Sequence, residues 1–214
     1  MLTLPNILGL ILAYLIGSFP SAVWVGKTFF GTDVREYGSG NAGATNTFRV
    51  LGKRAGIPVL IMDIAKGFIA VKLAYFIGDY EPLSPEFIDF ELALSVCALL
   101  GHIFPIYVGF RGGKGVATMM GILLAVHIEA ALICAGVFLV TLYISRFVSL
   151  GSILSGLTFP VIIMVFYSTN SSINIFSLAV TIMILVTHQR NIKRLMKREE
   201  SRVKWHRKAK RVDE

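Results

Sequence analysis

The fold is organised around residues 109–118, which read Gly109-Phe110-Arg111-Gly112-Gly113-Lys114-Gly115-Val116-Ala117-Thr118. Glycines surround a lysine in this stretch, and a backbone without side chains can curl so that successive N–H groups point at a single anion. The pattern differs from the phosphate loop of nucleotide hydrolases, because Val108 stands where that motif needs glycine and Gly115 where it needs Ser or Thr. The stretch therefore predicts an anion site without predicting a nucleotide. The alternative is a plain turn between helices, in which Arg111 and Lys114 only anchor the chain at a membrane surface.

The composition is that of an integral membrane protein. The chain has 214 residues, of which 55% are hydrophobic and 16% charged, with a mean hydropathy of +0.70. These values lie outside the range of ordinary soluble domains. Residues 190–214 hold 11 Lys/Arg against 4 Asp/Glu, so this tail carries +7 of the formal net charge of +8. The charge therefore describes a basic cytoplasmic tail after a single helical membrane domain at 1–189, and no nucleic acid partner is expected.

Apolar runs long enough to approach a membrane crossing of about 20 residues occur at 4–25, 57–78, 90–110, 116–145, 150–167 and 173–187. The fourth run has 30 residues, which is too long for one crossing and too short for two full ones. A single crossing there would place the basic tail outside, against the positive-inside rule. We therefore predict a pair of short or broken helices, hinged near residues 127–129, within an all-α protein of about seven transmembrane helices.

The distribution of charge gives the orientation. The segment 27–54 carries five Lys/Arg and should be cytoplasmic, whereas 79–89 carries four acids and no Lys/Arg and should be outside. The N-terminus is then outside and the C-terminus cytoplasmic. The helix that begins after Lys114 would direct the positive end of its dipole at whatever the glycine-rich stretch binds.

Two further segments carry anion-binding groups on the same predicted side. The first is Gly38-Ser39-Gly40-Asn41-Ala42-Gly43-Ala44-Thr45-Asn46, followed by Arg49, and the second begins at His188 and includes Asn191. Hydroxyls, amides and a guanidinium suit phosphoryl oxygens. Each segment alone also fits a helix cap or a membrane anchor. Because all three segments fall on one side, a shared site for a phosphorylated substrate is the better interpretation.

These residues resemble a known family. The Ser39–Asn46 stretch with Arg49, the run from Gly101-His102 to Thr118, and His188 with Asn191 and Arg194 are similar to three motifs of the bacterial acyl-phosphate-dependent glycerol-3-phosphate acyltransferases. Asp63-x-x-Lys66-Gly67 also resembles that family. The third motif departs from the family pattern at Gln189 and Arg198. The resemblance covers essentially the whole chain, in the right order and spacing.

The resemblance implies a multi-pass enzyme of the bacterial inner membrane with its active site on the cytoplasmic side. It would transfer a fatty acyl group from acyl phosphate to the 1-hydroxyl of glycerol 3-phosphate. The products would be lysophosphatidic acid and phosphate, at the first step of phospholipid synthesis. The expected partners are these two substrates and membrane lipids. We expect a monomer that needs no cofactor or metal, since the histidines and carboxylates do not cluster at ligand spacing.

The residue roles follow from the resemblance and from the chemistry of acyl transfer. Ser39, His188 and Lys114 are expected to be catalytic. Binding is expected from Asn41, Thr45, Asn46, Arg49, Gly112, Gly113, Gly115 and Asn191. The general base stays open between His188, whose ordinary pKa is about 6.5, and an oxygen of the donor phosphate. The roles of Lys66, Lys72 and Glu200 stay open as well.

Two other functions compete with this hypothesis. A coenzyme A-dependent acyltransferase would carry His followed by four residues and Asp, a pattern that none of the four histidines shows. A transporter for a small phosphorylated solute also uses broken helices with their N-termini directed at an anion. Such a site lies near the bilayer midplane, whereas here only Asp63, Lys66 and Lys72 intrude into the apolar runs. The acyltransferase is therefore favoured.

Overall fold

The computed structural model describes residues 3–78, 80–167 and 171–203, and within these ranges every regular element is helical. The all-α prediction is confirmed for this part of the chain. Asp79 and residues 204–214 of the predicted basic tail lie outside the described residues. The α-helices are α1 (Leu4–Ser18), α2 (Ser21–Phe30), α3 (Ala44–Leu51), α4 (Lys53–Lys72), α5 (Pro85–Ile103), α6 (Val116–Val126), α7 (Ile128–Ser145), α8 (Val148–Phe166), α9 (Ser171–Thr187) and α10 (Gln189–Met196).

Several helices have the length and the apolar composition of membrane spans. They are α5 together with the turn after it (Pro85–Val108), α7 and α8. Two bent pairs also qualify as broken spans, α1 with α2 at 42° and α9 with α10 at 61°. Only 17% of α7 is buried against the rest of the protein, as expected for a helix that faces lipid. The protein is therefore an integral membrane protein.

The break in the long fourth run lies where it was expected, because α6 ends at Val126 and α7 begins at Ile128. The expectation of two short helices needs correction. Helix α7 has 18 residues and is long enough to span, whereas α6 has only 11. At 1.5 Å per residue α6 covers about 16 Å, roughly half of the hydrocarbon thickness. The shortfall therefore falls on α6 alone.

The C-terminal end of α6 is supported by Lys72, for which the sequence offered no role. Its Nζ donates a hydrogen bond to the carbonyl oxygen of Ala125, at 3.0 Å, and lies 3.5 Å from Oε1 of Glu91. The last carbonyls of a helix have no partner within the helix, and lipid cannot supply one. Lys72 therefore satisfies one of the carbonyls that the end of α6 leaves without a partner within the helix.

The loops that carry the three sequence motifs meet at one end of the helix bundle. Nη1 of Arg35 donates to the carbonyl of Val108, and Nζ of Lys114 is bonded to Asn191. The turn between α7 and α8 is at the same end, since the N–H of Val203 donates to the carbonyl of Arg146 at 2.8 Å. The turn and the segment that follows α10 are therefore at one end of the bundle.

Candidate functional site

The centre of the site is Lys114, which precedes the first turn of α6. Its Nζ is hydrogen-bonded to Oδ1 of Asn191 on α10. Nδ2 of Asn191 donates in turn to Oε1 of Glu200, at 2.7 Å. The amide of Asn191 is thereby fixed with its oxygen towards the lysine. The structure brings together two predicted site residues, with Glu200 behind them.

Glu200 is held by three donors, of which Asn191 is one. Oγ of Ser149 donates to Oε1 at 2.9 Å, and Nε of Arg194 donates to Oε2 at 2.9 Å. The Glu200 side chain is only 7% exposed. The chain can bring this carboxylate back over α10 because Arg198 adopts a positive φ of 58°, which reverses its direction after the helix. Sequence reasoning gave no role to Ser149 or Arg194 and left that of Glu200 open.

Lys114 loses its proton at a lower pH than an exposed lysine does. Burial lowers its pKa to about 8, and the nearby charges of Arg194 and Arg49 act in the same direction, against an opposing contribution from Glu200. An amine with a pKa near 8 is still mostly protonated at neutral pH. Lys114 therefore offers a poorly hydrated positive charge to an anion.

His188 lies between α9 and α10 and is buried. Its Nδ1 is 2.8 Å from the carbonyl oxygen of Ile184. A carbonyl can only accept, so in the neutral ring this geometry assigns the proton to Nδ1 and the lone pair to Nε2. Within the described part of the chain, Nε2 has no hydrogen-bond partner. The predicted base therefore has its basic nitrogen available.

Two backbone amides of the glycine-rich loop cap the C-terminal end of α5. The N–H of Gly112 donates to the carbonyl of Ile103 at 3.2 Å, and that of Gly113 donates to the carbonyl of His102 at 3.1 Å. These amides are therefore not directed at a common anion. The groups left for an anion are the N–H groups of the first turn of α6, which begins after Gly115 with its φ of 82°.

Gly113 is also the point where this loop contacts the first one. A Cβ at Gly113 would overlap Nε2 of His102 and would lie 3.2 Å from the carbonyl oxygen of Ala42. Only a residue without a side chain lets the backbone fit between these groups. The glycine therefore sets the distance between the two loops.

The first loop is organised by Asn46, which is buried at the start of α3. Its Oδ1 accepts from the N–H and the Oγ of Ser39, at 2.9 and 3.1 Å. Its Nδ2 donates to the carbonyls of Val34 and Tyr37, at 2.7 and 3.1 Å. These contacts use both ends of the Asn46 amide within the loop. Asn46 and Ser39 thus bond to each other, whereas Thr45 and Arg49 are exposed and Asn41 is half-buried.

A second link between the first two loops was not predicted. Arg35 donates to both carboxylate oxygens of Asp33, at 3.0 and 2.8 Å, and through Nη1 to the carbonyl of Val108, at 2.9 Å. The hydrogen bonds from Arg35 hold the pKa of Asp33 well below its usual range. A cavity of about 370 Å³ lies beside these Arg35 contacts, and none of the residues that line it is a predicted site residue. We therefore regard Arg35 as a connection between loops.

A much smaller, mostly apolar cavity of about 30 Å³ lies close to the start of α6. It lies between α6, α7, α8 and α9, and its lining includes Val116, Met119, Ser152, Phe159 and Ile184. Val116 begins the helix that follows Lys114, and Ile184 is the residue whose carbonyl faces His188. Polar groups and an apolar cavity are thus adjacent. Among residues 3–78, 80–167 and 171–203, no three His, Cys, Asp or Glu side chains are grouped so as to hold a metal ion.

Comparison with known proteins gives one consistent result. A family model described as glycerol-3-phosphate acyltransferase matches residues 7–198. The chain is 43% identical over 201 residues to a protein of that name from Staphylococcus carnosus, covering 93% of this chain and 98% of the relative. It is 44% identical over 211 residues to one from Enterococcus faecalis, covering 95% and 94%.

Solved structures agree with the sequence comparison. The fold is similar to a crystal structure of PlsY (YgiH), an integral membrane glycerol 3-phosphate acyltransferase, in its glycerol 3-phosphate form. The TM-score is 0.84 at 33% identity, covering 93% of this chain and 96% of that one. A second structure of PlsY, in a lysophosphatidic acid form, gives a TM-score of 0.81 at 33% identity. The chain belongs to the glycerol-3-phosphate acyltransferase family.

Proposed function

We propose that the protein transfers a fatty acyl group from acyl phosphate to the 1-hydroxyl of glycerol 3-phosphate, releasing lysophosphatidic acid and phosphate. Membership of the family supports the acyltransferase over the transporter. The observation that carries the proposal is the partly buried cluster of Lys114, Asn191 and Glu200 beside His188. A positive charge with oriented polar groups suits a phosphate.

The site is proposed to face the cytoplasm of a bacterial inner membrane. The chain would cross that membrane seven times, with its N-terminus outside, its C-terminus inside and the protein working as a monomer. The five Lys/Arg of residues 27–54, which flank the first motif, support this orientation. Both the polar substrate, from the cytoplasm, and the fatty donor, from the lipid, could then reach the same pocket.

Acyl phosphate is an activated mixed anhydride, so no covalent enzyme intermediate is needed. The hydroxyl oxygen of glycerol 3-phosphate forms an ester bond with the carbonyl carbon. The bond from that carbon to the phosphate oxygen breaks, and phosphate leaves with the electron pair. The hydroxyl proton passes to Nε2 of His188 or to an oxygen of the donor phosphate. The protein mainly has to align the reactants and stabilise the negative charge.

The glycerol 3-phosphate side of the pocket is assigned to Lys114, Arg49, Asn191 and His188. Arg49 is exposed near Lys114 and lowers its pKa, which indicates that two positive charges share this region. A phosphate with two negative charges would relieve their repulsion. Glu200 orients Asn191, so that its amide oxygen faces Lys114.

The acyl phosphate side is assigned to Ser39, Asn41 and the loop from Gly112 to Gly115. Because the amides of Gly112 and Gly113 are engaged with α5, the first turn of α6 is the better partner for the donor phosphate. Gly112 and Gly113 would contribute to this side by letting the backbone of the loop pack closely, and not by donating hydrogen bonds to the phosphate. Asn46 would hold Ser39 in place. Thr45, which is exposed on the first turn of α3, would lie at the entrance of the substrate pocket.

The experiment is a reaction of the purified protein in detergent with palmitoyl phosphate and glycerol 3-phosphate. We expect phosphate release that depends on glycerol 3-phosphate, together with equimolar lysophosphatidic acid detected by mass spectrometry. Palmitoyl-coenzyme A in place of palmitoyl phosphate should give no product. Without phosphate release in the presence of both substrates, the proposed activity would be rejected. Uptake of glycerol 3-phosphate by proteoliposomes without acyl transfer would then identify the transporter.

A further inference from the structure

Three buried ionisable residues take no part in the proposed reaction. Asp63 and Lys66 lie one turn apart on α4, and His102 lies near the end of α5. Their exposed fractions are 1%, 7% and 5%. Charged side chains inside a membrane protein are costly and usually either pair with each other or serve a site. Asp63 and Lys66 form an ion pair, and His102 lies beside it. The contacts of the three residues lead to two other parts of the fold.

The first direction leads to the bend between α1 and α2. Oδ1 of Asp63 accepts a hydrogen bond from Oγ of Ser21, at 2.9 Å, and lies 2.9 Å from Nζ of Lys66. Nζ of Lys66 also donates to the carbonyl of Phe19, at 2.9 Å. Phe19 lies between the end of α1 and the start of α2. The pair thus holds the bend from which α2 continues to the first loop.

The second direction leads to the loop that carries Lys114. Oδ1 of Asp63 is 3.7 Å from Nδ1 of His102, and that nitrogen is 2.9 Å from Oγ1 of Thr118, in the first turn of α6. The His102 carbonyl accepts from the N–H of Gly113, so His102 contacts the chain both before and after Lys114.

Helix α4 also packs closely on α6, which carries Thr118. A Cβ at Gly67 would overlap the carbonyl oxygen of Thr118, and one at Gly121 would overlap that of Ile64. Because neither glycine has a side chain, the two backbones can approach each other. The Asp63 pair is thereby held at the level where α6 begins.

We propose that Asp63 is a positioning residue for acyl transfer. It fixes the α1–α2 bend relative to the α5–α6 loop, and so sets the distance between the two substrate loops, which are the first loop (residues 38–46) and the glycine-rich loop (residues 109–118). The proposal rests on the proposed function. Asp63 acts through Ser21 and His102, and it does not touch a substrate. Reaction rates depend steeply on the alignment of the reacting atoms, and a misplacement of about 1 Å can cost about 100-fold in rate.

The competing explanation is that the pair only stabilises the fold. Replacing a buried ion pair by apolar residues of similar size is often neutral for stability or even stabilising, whereas removing one partner leaves an unpaired buried charge. A double replacement therefore separates the two explanations. Asp63→Leu/Lys66→Met removes both charges together and keeps the volume.

The test compares kcat, KM for both substrates and the melting temperature in detergent. The matched control is Lys72→Met/Glu91→Gln, which removes the other ion pair of α4 at its far end. For Asp63→Leu/Lys66→Met we expect a fall in kcat of about 100-fold with a loss of melting temperature no larger than that of the control, because each double variant loses one bond to a backbone carbonyl, at Phe19 or at Ala125. For the control we expect a lower melting temperature, from the lost bond to Ala125, with kcat unchanged.

A wild-type kcat in Asp63→Leu/Lys66→Met would overturn the proposal, as would a loss of kcat that merely follows the melting temperature in both double variants. If Asp63→Leu/Lys66→Met does not fold, Thr118→Val supplies the test. It removes only the bond to His102 and keeps the shape, and it should lower kcat about tenfold; an unchanged kcat would equally overturn the proposal. An inactive wild-type protein would instead reject the proposed function.

Discussion

Lys114 and Asn191 are 77 positions apart in the chain, and their side chains are hydrogen-bonded at the centre of the site. One precedes α6, an apolar helix of only 11 residues, and the other lies on the helix that bends away from α9. Their contact joins the glycine-rich loop to the C-terminal segment. The proposed phosphate pocket depends on this contact.

Replacing Asn191 by Leu should raise KM for glycerol 3-phosphate by about 10- to 100-fold. The substitution removes the amide oxygen from Lys114 and leaves Glu200 without one donor. Hydrogen bonds to charged groups contribute about 1.5–3 kcal/mol. Steady-state kinetics would measure the change, with Gln189→Ala, an exposed position on the same helix, as control. Equal KM values for the two variants would show that the Asn191 contact does not serve substrate binding.

The activity should fall as the pH rises through about 8. Burial lowers the pKa of Lys114 to about 8, so its ammonium group is charged below this pH and loses its charge above it. A phosphate monoester keeps its negative charge over this range, since its second pKa is about 6. The profile of kcat/KM for glycerol 3-phosphate should therefore decline on the alkaline side.

The matched variant for this pH profile is Lys114→Arg, because a guanidinium stays protonated throughout this pH range. Whatever activity this variant retains should not decline between about pH 7.5 and 9.5, which is the range over which a lysine of pKa near 8 loses its charge. The same alkaline decline in both proteins would assign it to another group.

His188→Gln should lower kcat by about 100-fold, with little change in KM for either substrate. The ring has its proton on Nδ1, facing Ile184, and its lone pair on Nε2. General base catalysis contributes about 100- to 10,000-fold. Saturation kinetics would separate the two parameters. A loss confined to KM would instead assign the proton to the donor phosphate and leave His188 a binding role.

Gly113→Ala should lower kcat, because the added Cβ would overlap the His102 ring and press against the carbonyl of Ala42. The loop that carries Lys114 would have to shift, and the two substrate loops would separate. The control is Gly136→Ala on α7, where a Cβ would have no atom within 4 Å. Acyl transfer assays on both variants would check this, and similar rates would contradict a role for the close contact.

The sequence predicted the features that depend on hydrophobic length and charge. The break at His127 followed from a run too long for one helix, and the meeting of three loops followed from their position on one predicted side. The role of Glu200 could not be predicted, because the return of the chain over α10 depends on a positive φ at Arg198. No spacing rule relates residues 194 and 200 across such a turn.

The hydrogen bonds of Arg35 to Asp33 and Val108, and the partners of the glycine amides, could not be predicted for a related reason. Asp33 and Arg35, two positions apart in a loop, have the pattern of solvated surface charges, and only the tertiary structure brings Val108 against them. The glycine-rich stretch predicted amides directed at an anion. The end of α5 competes for the same donors, and its carbonyls at His102 and Ile103 lie closer along the chain.

The central claim is that Lys114 binds a substrate phosphate, and the most direct measurement compares Lys114→Ala with Lys193→Ala. Lys193 is exposed on α10, so its removal controls for the loss of one positive charge near the site. We expect Lys114→Ala to retain its melting temperature in detergent and to lose at least about 100-fold in kcat/KM for glycerol 3-phosphate, while Lys193→Ala behaves like the wild type. Near-normal activity of a folded Lys114→Ala protein would contradict the account.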